Sequence, residues 1–259
     1  PAPHGELRIA PFLCLVISGV GATLWCSDAL RLATREGSLT VFSLFFDSFV
    51  HARVISEFSH AHGISTLSDV RMAGVQASVY HYASYVVPAA FASITRTGAY
   101  EVFAGFLLPF GILVSGLAAF SLAAILWGPG PGIAATIALI LLPDAFQQGF
   151  GNRYLSYNLL QQIGPASLYG VAYLAVAWVL VLDACRTGRI SSVLMGWATA
   201  VLAATYKVLL FVANAFVIMI YPLLFWTWAR SRVRFALGIL FVTIFFMVVL
   251  LSQRFPEVP

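Results

Sequence analysis

The sequence predicts an all-α fold. It reads as a polytopic membrane helix bundle of about seven transmembrane helices, with a large extracytoplasmic first loop that carries juxtamembrane helices. Three observations predict this. Hydrophobic residues make up 61% of the 259 residues and charged residues 9%, with a mean hydropathy of +0.92; a soluble domain carries about 25% charged residues. Apolar runs near the ~20 residues that cross a bilayer recur along the chain. The titratable groups, in contrast, are concentrated in a polar island over residues 27–99, which holds four of the five histidines, His51, His60, His62 and His81.

Taken in order, the first span is 9–26, and the polar loop 27–99 follows. The remaining spans fall within 100–252. Tyr100 to Trp127 is long enough to cross with tilt, and Gly128-Pro129-Gly130-Pro131-Gly132 ends it, because Gly and Pro break helices. Ile133 to Leu142 stays apolar up to Pro143. A second polar stretch, Asp144 to Ser167, precedes Leu168 to Leu182 and Ile190 to Thr205. Tyr206-Lys207 interrupts, Val208 to Trp228 resumes, and Phe235 to Leu251 is the last run. The whole chain reads as one transmembrane module. Its Pro start and its stop just after an apolar run read as a piece of a longer protein whose C-terminal part is missing. No small-residue cleavage site follows the first run, which is long enough to span. No internal repeat is visible.

Lys and Arg in short loops orient such a chain. With the N-terminus and Arg8 in the cytoplasm, Arg186, Arg189, Arg230, Arg232 and Arg234 also fall inside. The polar island, the Asp144 to Ser167 stretch and Lys207 then fall outside. Taking Tyr80 to Ile94 as a span would reverse the Arg230 cluster, so that segment reads as a helix lying on or dipping into the outer face. The net charge of +4 sits in loops between apolar runs and carries no nucleic-acid signal. Cys14, Cys26 and Cys185 have no metal-ligand spacing and read as packing residues.

Within the island, Val41 to Phe58 has helical character, with Phe42, Phe45, Phe46, Phe49, Val50, Val54 and Phe58 at three- and four-residue steps. Asp47, His51 and Ile55 share one face, and Asp47 and His51 are helix neighbours. Gly63 ends the pattern, and Val79 to Pro88 begins another helix. Glu57, His60 and His62 have a metal-like composition, but zinc needs three or four converging ligands and this spacing fits no strong motif.

The order of these features resembles the type C glycosyltransferases of membranes, the superfamily of protein O-mannosyltransferases, oligosaccharyltransferases and aminoarabinose transferases. The features are Phe46-Asp47-Ser48-Phe49-Val50-His51 in the first loop, Tyr80-His81-Tyr82, Pro143-Asp144 opening the second outer loop, and Lys207 in Ala204-Thr205-Tyr206-Lys207-Val208. The resemblance spans the chain as topology and is specific only in the first loop. It implies an inverting transfer of a sugar from a polyprenyl-phosphate-linked donor to a glycan, lipid or protein acceptor, on the extracytoplasmic face of a bacterial-type inner membrane. It puts the catalytic acid at Asp47. Asp144 is the acid of the second outer loop. A divalent cation, Mg or Mn, is the one cofactor it leaves open, and no paired-acid motif follows Arg153-Tyr154.

The chemistry needs a base for the acceptor proton, a cation for the leaving phosphate and an apolar groove for the polyprenyl tail. Asp47 serves as the base, or else is an exposed polar or helix-capping residue. His51 orients Asp47, binds phosphate, ligates a metal or makes a structural hydrogen bond. Lys207, the only lysine in the chain, either binds donor phosphate or snorkels to the outer interface. Arg153 and Tyr154 hold phosphate and sugar or are solvated. Tyr80, His81, Tyr82 and Tyr85 stack on a sugar or form an interfacial aromatic belt. The bilayer is the other partner, and nucleic acid is excluded. Two further classes compete: a transporter or flippase for a lipid-linked or anionic substrate, and a structural membrane subunit.

Overall fold

The computed structural model describes residues 6–27, 34–41, 46–60, 82–141, 164–225 and 238. Apart from one small hairpin, every regular element among them is helical. Helix α1 is Glu6–Trp25. Strands β1 (Thr34–Glu36) and β2 (Leu39–Val41) pair antiparallel about Gly37-Ser38, with Glu36 opposite Leu39. Gly37 takes φ 65°, a left-handed conformation that glycine adopts without steric cost. Helix α2 is Phe46–His60 and α3 is Ala83–Thr95. Helix α4 runs Ala99–Trp127, with a π turn at Phe103–Leu107. Then come α5 (Pro129–Leu141), α6 (Ala166–Thr187), α7 (Ile190–Tyr206) and α8 (Val208–Phe225).

The hairpin corrects one expectation. Helical periodicity extended back to Val41, yet Val41 is in a strand and the helix begins at Phe46. The β-branched pair Thr40 and Val41 has a strand partner close by through the Gly37 turn, and local pairing overrides the apolar spacing. The Gly-Pro string also breaks the chain less than expected. Only Gly128 leaves the helix, at φ 101° and ψ 175°, and α5 starts at once on Pro129. Proline suits a first helical turn, where its missing N–H costs nothing.

Two helices are long and apolar enough to cross a membrane, Ala99–Trp127 and Ala166–Thr187. Four other expected spans are apolar but shorter, at Ile9–Trp25, Pro129–Leu141, Ile190–Tyr206 and Val208–Pro222. The 13 residues of α5 rise only ~20 Å at 1.5 Å each. The segment from Phe235 to Leu251, and Arg230, Arg232 and Arg234, lie outside the described residues.

The long helices alternate in direction. Ser18 of α1 meets Gly116 of α4, while Trp25 donates its indole N–H to the Ile140 carbonyl at the far end of α5 (2.7 Å). Thr136 of α5 donates to the Gly116 carbonyl (3.1 Å), so α1 and α5 run together and α4 runs against both. Gly111 of α4 packs on Leu168 and Tyr169, and Ala118 on the layer of Ala172 and Ala175, so α4 and α6 are parallel. Gly188, at φ 75°, turns α6 into α7, and Lys207 turns α7 into α8. The indole N–H of Trp197 on α7 donates to the Ile218 carbonyl on α8 (3.3 Å), placing these two side by side. The result is two three-helix groups, α1-α4-α5 and α6-α7-α8, joined along α4 and α6.

Small residues make these contacts close. Ala177, Ala184, Ala200 and Ala203 are fully buried, and a Cβ on Gly196 would stand 3.1 Å from the Ala177 carbonyl oxygen. Large apolar side chains point outward instead, among them Phe12 (63% exposed), Trp127 (71%) and Leu209 (70%). Small residues inside and large apolar residues outside is the arrangement of helices packed in lipid, where apolar burial gives no driving force between helices.

Candidate functional site

The end of the bundle that carries the starts of α4 and α6 and the α7–α8 turn is covered by α2 and α3. Helix α2 buries Ser48, Ala52 and Ile55, a stripe at four- and three-residue steps. This stripe packs on α3 and on the first turns of α4, in a core with Tyr85, Ala89, Val102 and Phe103. Asp47 stands in the first turn of α2, where a carboxylate complements the exposed helix N–H groups. Its side chain lies outside the described atoms.

His51, one turn further on, is half-buried and held on three sides. Its Nδ1 is 2.6 Å from the Tyr85 hydroxyl oxygen. The Tyr85 ring stacks on it at 5.8 Å between centroids and the Phe103 ring at 5.7 Å. Tyr85 is 7% exposed, so it is neither a sugar platform nor part of an interfacial belt. Burial pushes its phenol well above the ordinary value, with a hydrogen bond from Ser84 offsetting part of the shift. Tyr82 sits at the N-terminal boundary of α3, half-buried.

Three sequence features resolve into local pairs. Arg53 Nε donates to Glu57 Oε1 at 2.9 Å, a helical i,i+4 pair. His60 Nδ1 lies 2.8 Å from the Ser56 carbonyl oxygen. Glu57 and His60 are thus engaged within α2, and His62 lies outside the described residues. Among the described residues no three His, Cys, Asp or Glu side chains come together as a metal site.

Lys207 is the single extended residue (φ −154°, ψ 94°) between α7 and α8. Its N–H donates to Ala203 and its carbonyl accepts from Phe211, so the helical bonding resumes on either side. It is half-buried, with its Cβ against Gly170 of α6.

Beside it lies a cavity of about 430 Å³ between α3, α4, α6 and α7. Its lining includes Ser84, Val87 and Pro88 from α3, Phe106 and Phe110 from α4, Tyr169, Tyr173 and Val176 from α6, and Thr199 and Tyr206 from α7. Three tyrosines form one wall. Tyr206 stacks on Tyr173 at 4.6 Å and on Tyr169 at 5.9 Å, and its hydroxyl is 3.3 Å from that of Tyr173. The Tyr169 hydroxyl donates to the Leu107 carbonyl at the end of the π turn, at 2.5 Å.

The structure thus brings the first-loop helix, His51, Tyr82 and Lys207 to one end of the bundle. Tyr80, His81, Asp144, Arg153 and Tyr154 lie outside the described residues. Sequence reasoning missed the tyrosine wall and the Tyr85 partner of His51. The i,i+4 spacing of Tyr169 and Tyr173 in an apolar helix was the available signal. Comparison with known protein families, curated proteins and solved structures gives no match to this chain.

Proposed function

We propose that this protein is a multi-pass membrane glycosyltransferase that takes a sugar from a polyprenyl-phosphate-linked donor. In this reading about seven helices cross a bacterial-type inner membrane, the N-terminus is cytoplasmic, and the site faces the extracytoplasmic side. The observation that carries it is the apolar cavity at the same end of the bundle as the α2 layer and Lys207. A lipid-linked donor has an apolar tail and an anionic head, and it needs a slot of the first kind beside cations of the second.

The tail enters among Val87, Phe106, Phe110 and Val176. The head lies toward Lys207 and His51, whose positive charge or N–H offsets the charge that grows on the leaving phosphate. Asp47 takes the proton of an acceptor hydroxyl as its oxygen attacks the sugar C1 and the bond from C1 to the phosphate oxygen breaks. The acceptor is a glycan, a lipid or a protein. Asp144, Arg153, Tyr154, Tyr80 and His81 contribute from the neighbouring loops, and a divalent cation, where needed, neutralises the leaving phosphate.

The test is transfer from a radiolabelled polyprenyl-phosphate sugar by the intact protein in proteoliposomes, compared with Asp47→Asn. Loss of a general base lowers the rate by about 10²- to 10⁴-fold. An Asp47→Asn variant as active as the wild type would remove Asp47 from the mechanism, and no transfer from any polyprenyl-linked donor would remove the reading.

A further inference from the structure

We infer that Tyr85 is a positioning residue: it holds His51 as the Nε2–H tautomer, so that the imidazole donates a hydrogen bond to a phosphate oxygen of a polyprenyl phosphate. The inference rests on the glycosyl-transfer reading for the identity of the ligand, but not for the geometry.

Two contacts define the ring. The stacks on Tyr85 (23° between planes) and Phe103 (15°) fix the plane of the imidazole. The 2.6 Å contact from Nδ1 to the Tyr85 oxygen then fixes which edge faces α3. Tyr85 is buried and keeps its proton, and Ser84 supplies a donor to the phenol oxygen. A phenol that already accepts from serine gives its own O–H onward, here to Nδ1. A histidine whose Nδ1 accepts carries its proton on Nε2, since the bond made by one ring nitrogen sets the state of the other. Ser84 also lines the apolar cavity, so the chain of hydroxyls runs from the cavity wall to the histidine. A neutral imidazole with Nε2–H is a donor to anionic oxygen, and a phosphate held by a tail in that cavity is an anionic oxygen source on the same end of the bundle.

The experiment is nitrogen NMR of the full chain labelled with ¹⁵N-histidine in nanodiscs, with His51 assigned by its loss in His51→Gln. The expected wild-type spectrum has a bare Nδ1 and a protonated Nε2; the reverse pattern overturns the inference without any activity measurement. Tyr85→Phe keeps the stack and removes the hydroxyl, and it is expected to give a mixture of both tautomers and at least a tenfold loss of kcat/KM. A variant with an unchanged tautomer overturns the role of Tyr85. Adding polyprenyl phosphate, without sugar, is expected to move the Nε2–H resonance. No movement overturns the phosphate assignment, as does an Nε2–H resonance in the free protein that shifts on Asp47→Asn and ignores the lipid, which makes the carboxylate the acceptor. If instead the tautomer is as inferred and the wild type transfers no sugar, the glycosyl-transfer reading falls and the Tyr85–His51 pair stands.

Discussion

Single residues show how far chemistry can be read from position. Asp47 and His51 stood one helical turn apart in the sequence, and the helix that holds them is present. What the sequence hid was the partner, because Tyr85 is 34 positions away and its type suits an interface as well as a core. Its burial has a consequence at high pH. The folded protein keeps the Tyr85 proton above the model value of 10.0, at which the unfolded chain releases it. The unfolded state therefore binds fewer protons, and stability falls as pH rises above 10, by up to about 1.4 kcal/mol per pH unit for this one group. Tyr85→Phe should flatten that slope in alkaline unfolding curves; an identical slope would show that the phenol is not buried. Ser18 offers a second test. Its hydroxyl is fully buried in α1 against Gly116 and has no hydrogen-bond partner among the described residues. Ser18→Ala removes an unsatisfied group, and thermal unfolding in detergent should show it unchanged or more stable by about 1 kcal/mol.

At the scale of elements, glycines and one threonine decide how near the helices come. Thr136 bonds the carbonyls of both Gly116 and Gly132, tying α5 to α4. Thr136→Val keeps the shape and loses the bond across the helices, worth ~0.6 kcal/mol on average between membrane helices. Gly196 is less forgiving, because Val181 and the Ala177 carbonyl leave no room for a side chain. Gly196→Leu should cost about 1–3 kcal/mol through overpacking, or push α7 off α6; a variant that melts with the wild type would contradict the α6–α7 contact. The apolar runs were legible because hydropathy alone sets them, and the observed helices follow them to within a few residues except at α5, which starts four residues early, and α6, which continues five residues past Leu182. The Gly128 break was legible as a type but not in extent, since tolerance of Pro129 depends on where the first turn falls. The β-hairpin was not legible, because its three-residue strands are too short to show alternation.

At the scale of the whole molecule, the cavity is the feature that matters for function and the one that no local pattern announces. Residues 84, 110, 173 and 206 reach it from four different helices. Ala172→Phe projects a ring into it, and under the proposed function the KM for the polyprenyl-linked donor should rise at least tenfold while the protein stays folded. An unchanged KM would place the tail elsewhere. The sequence by itself determined the helical class, the apolar segments and the polar island, because these follow from composition and periodicity along one stretch of chain. Only the tertiary structure decided that Tyr85 meets His51, that three tyrosines stack beside Lys207, and that a slot remains between α3 and the bundle. Such contacts join residues tens of positions apart, and they depend on how closely Gly111, Gly116, Gly170 and Gly196 let the helices approach.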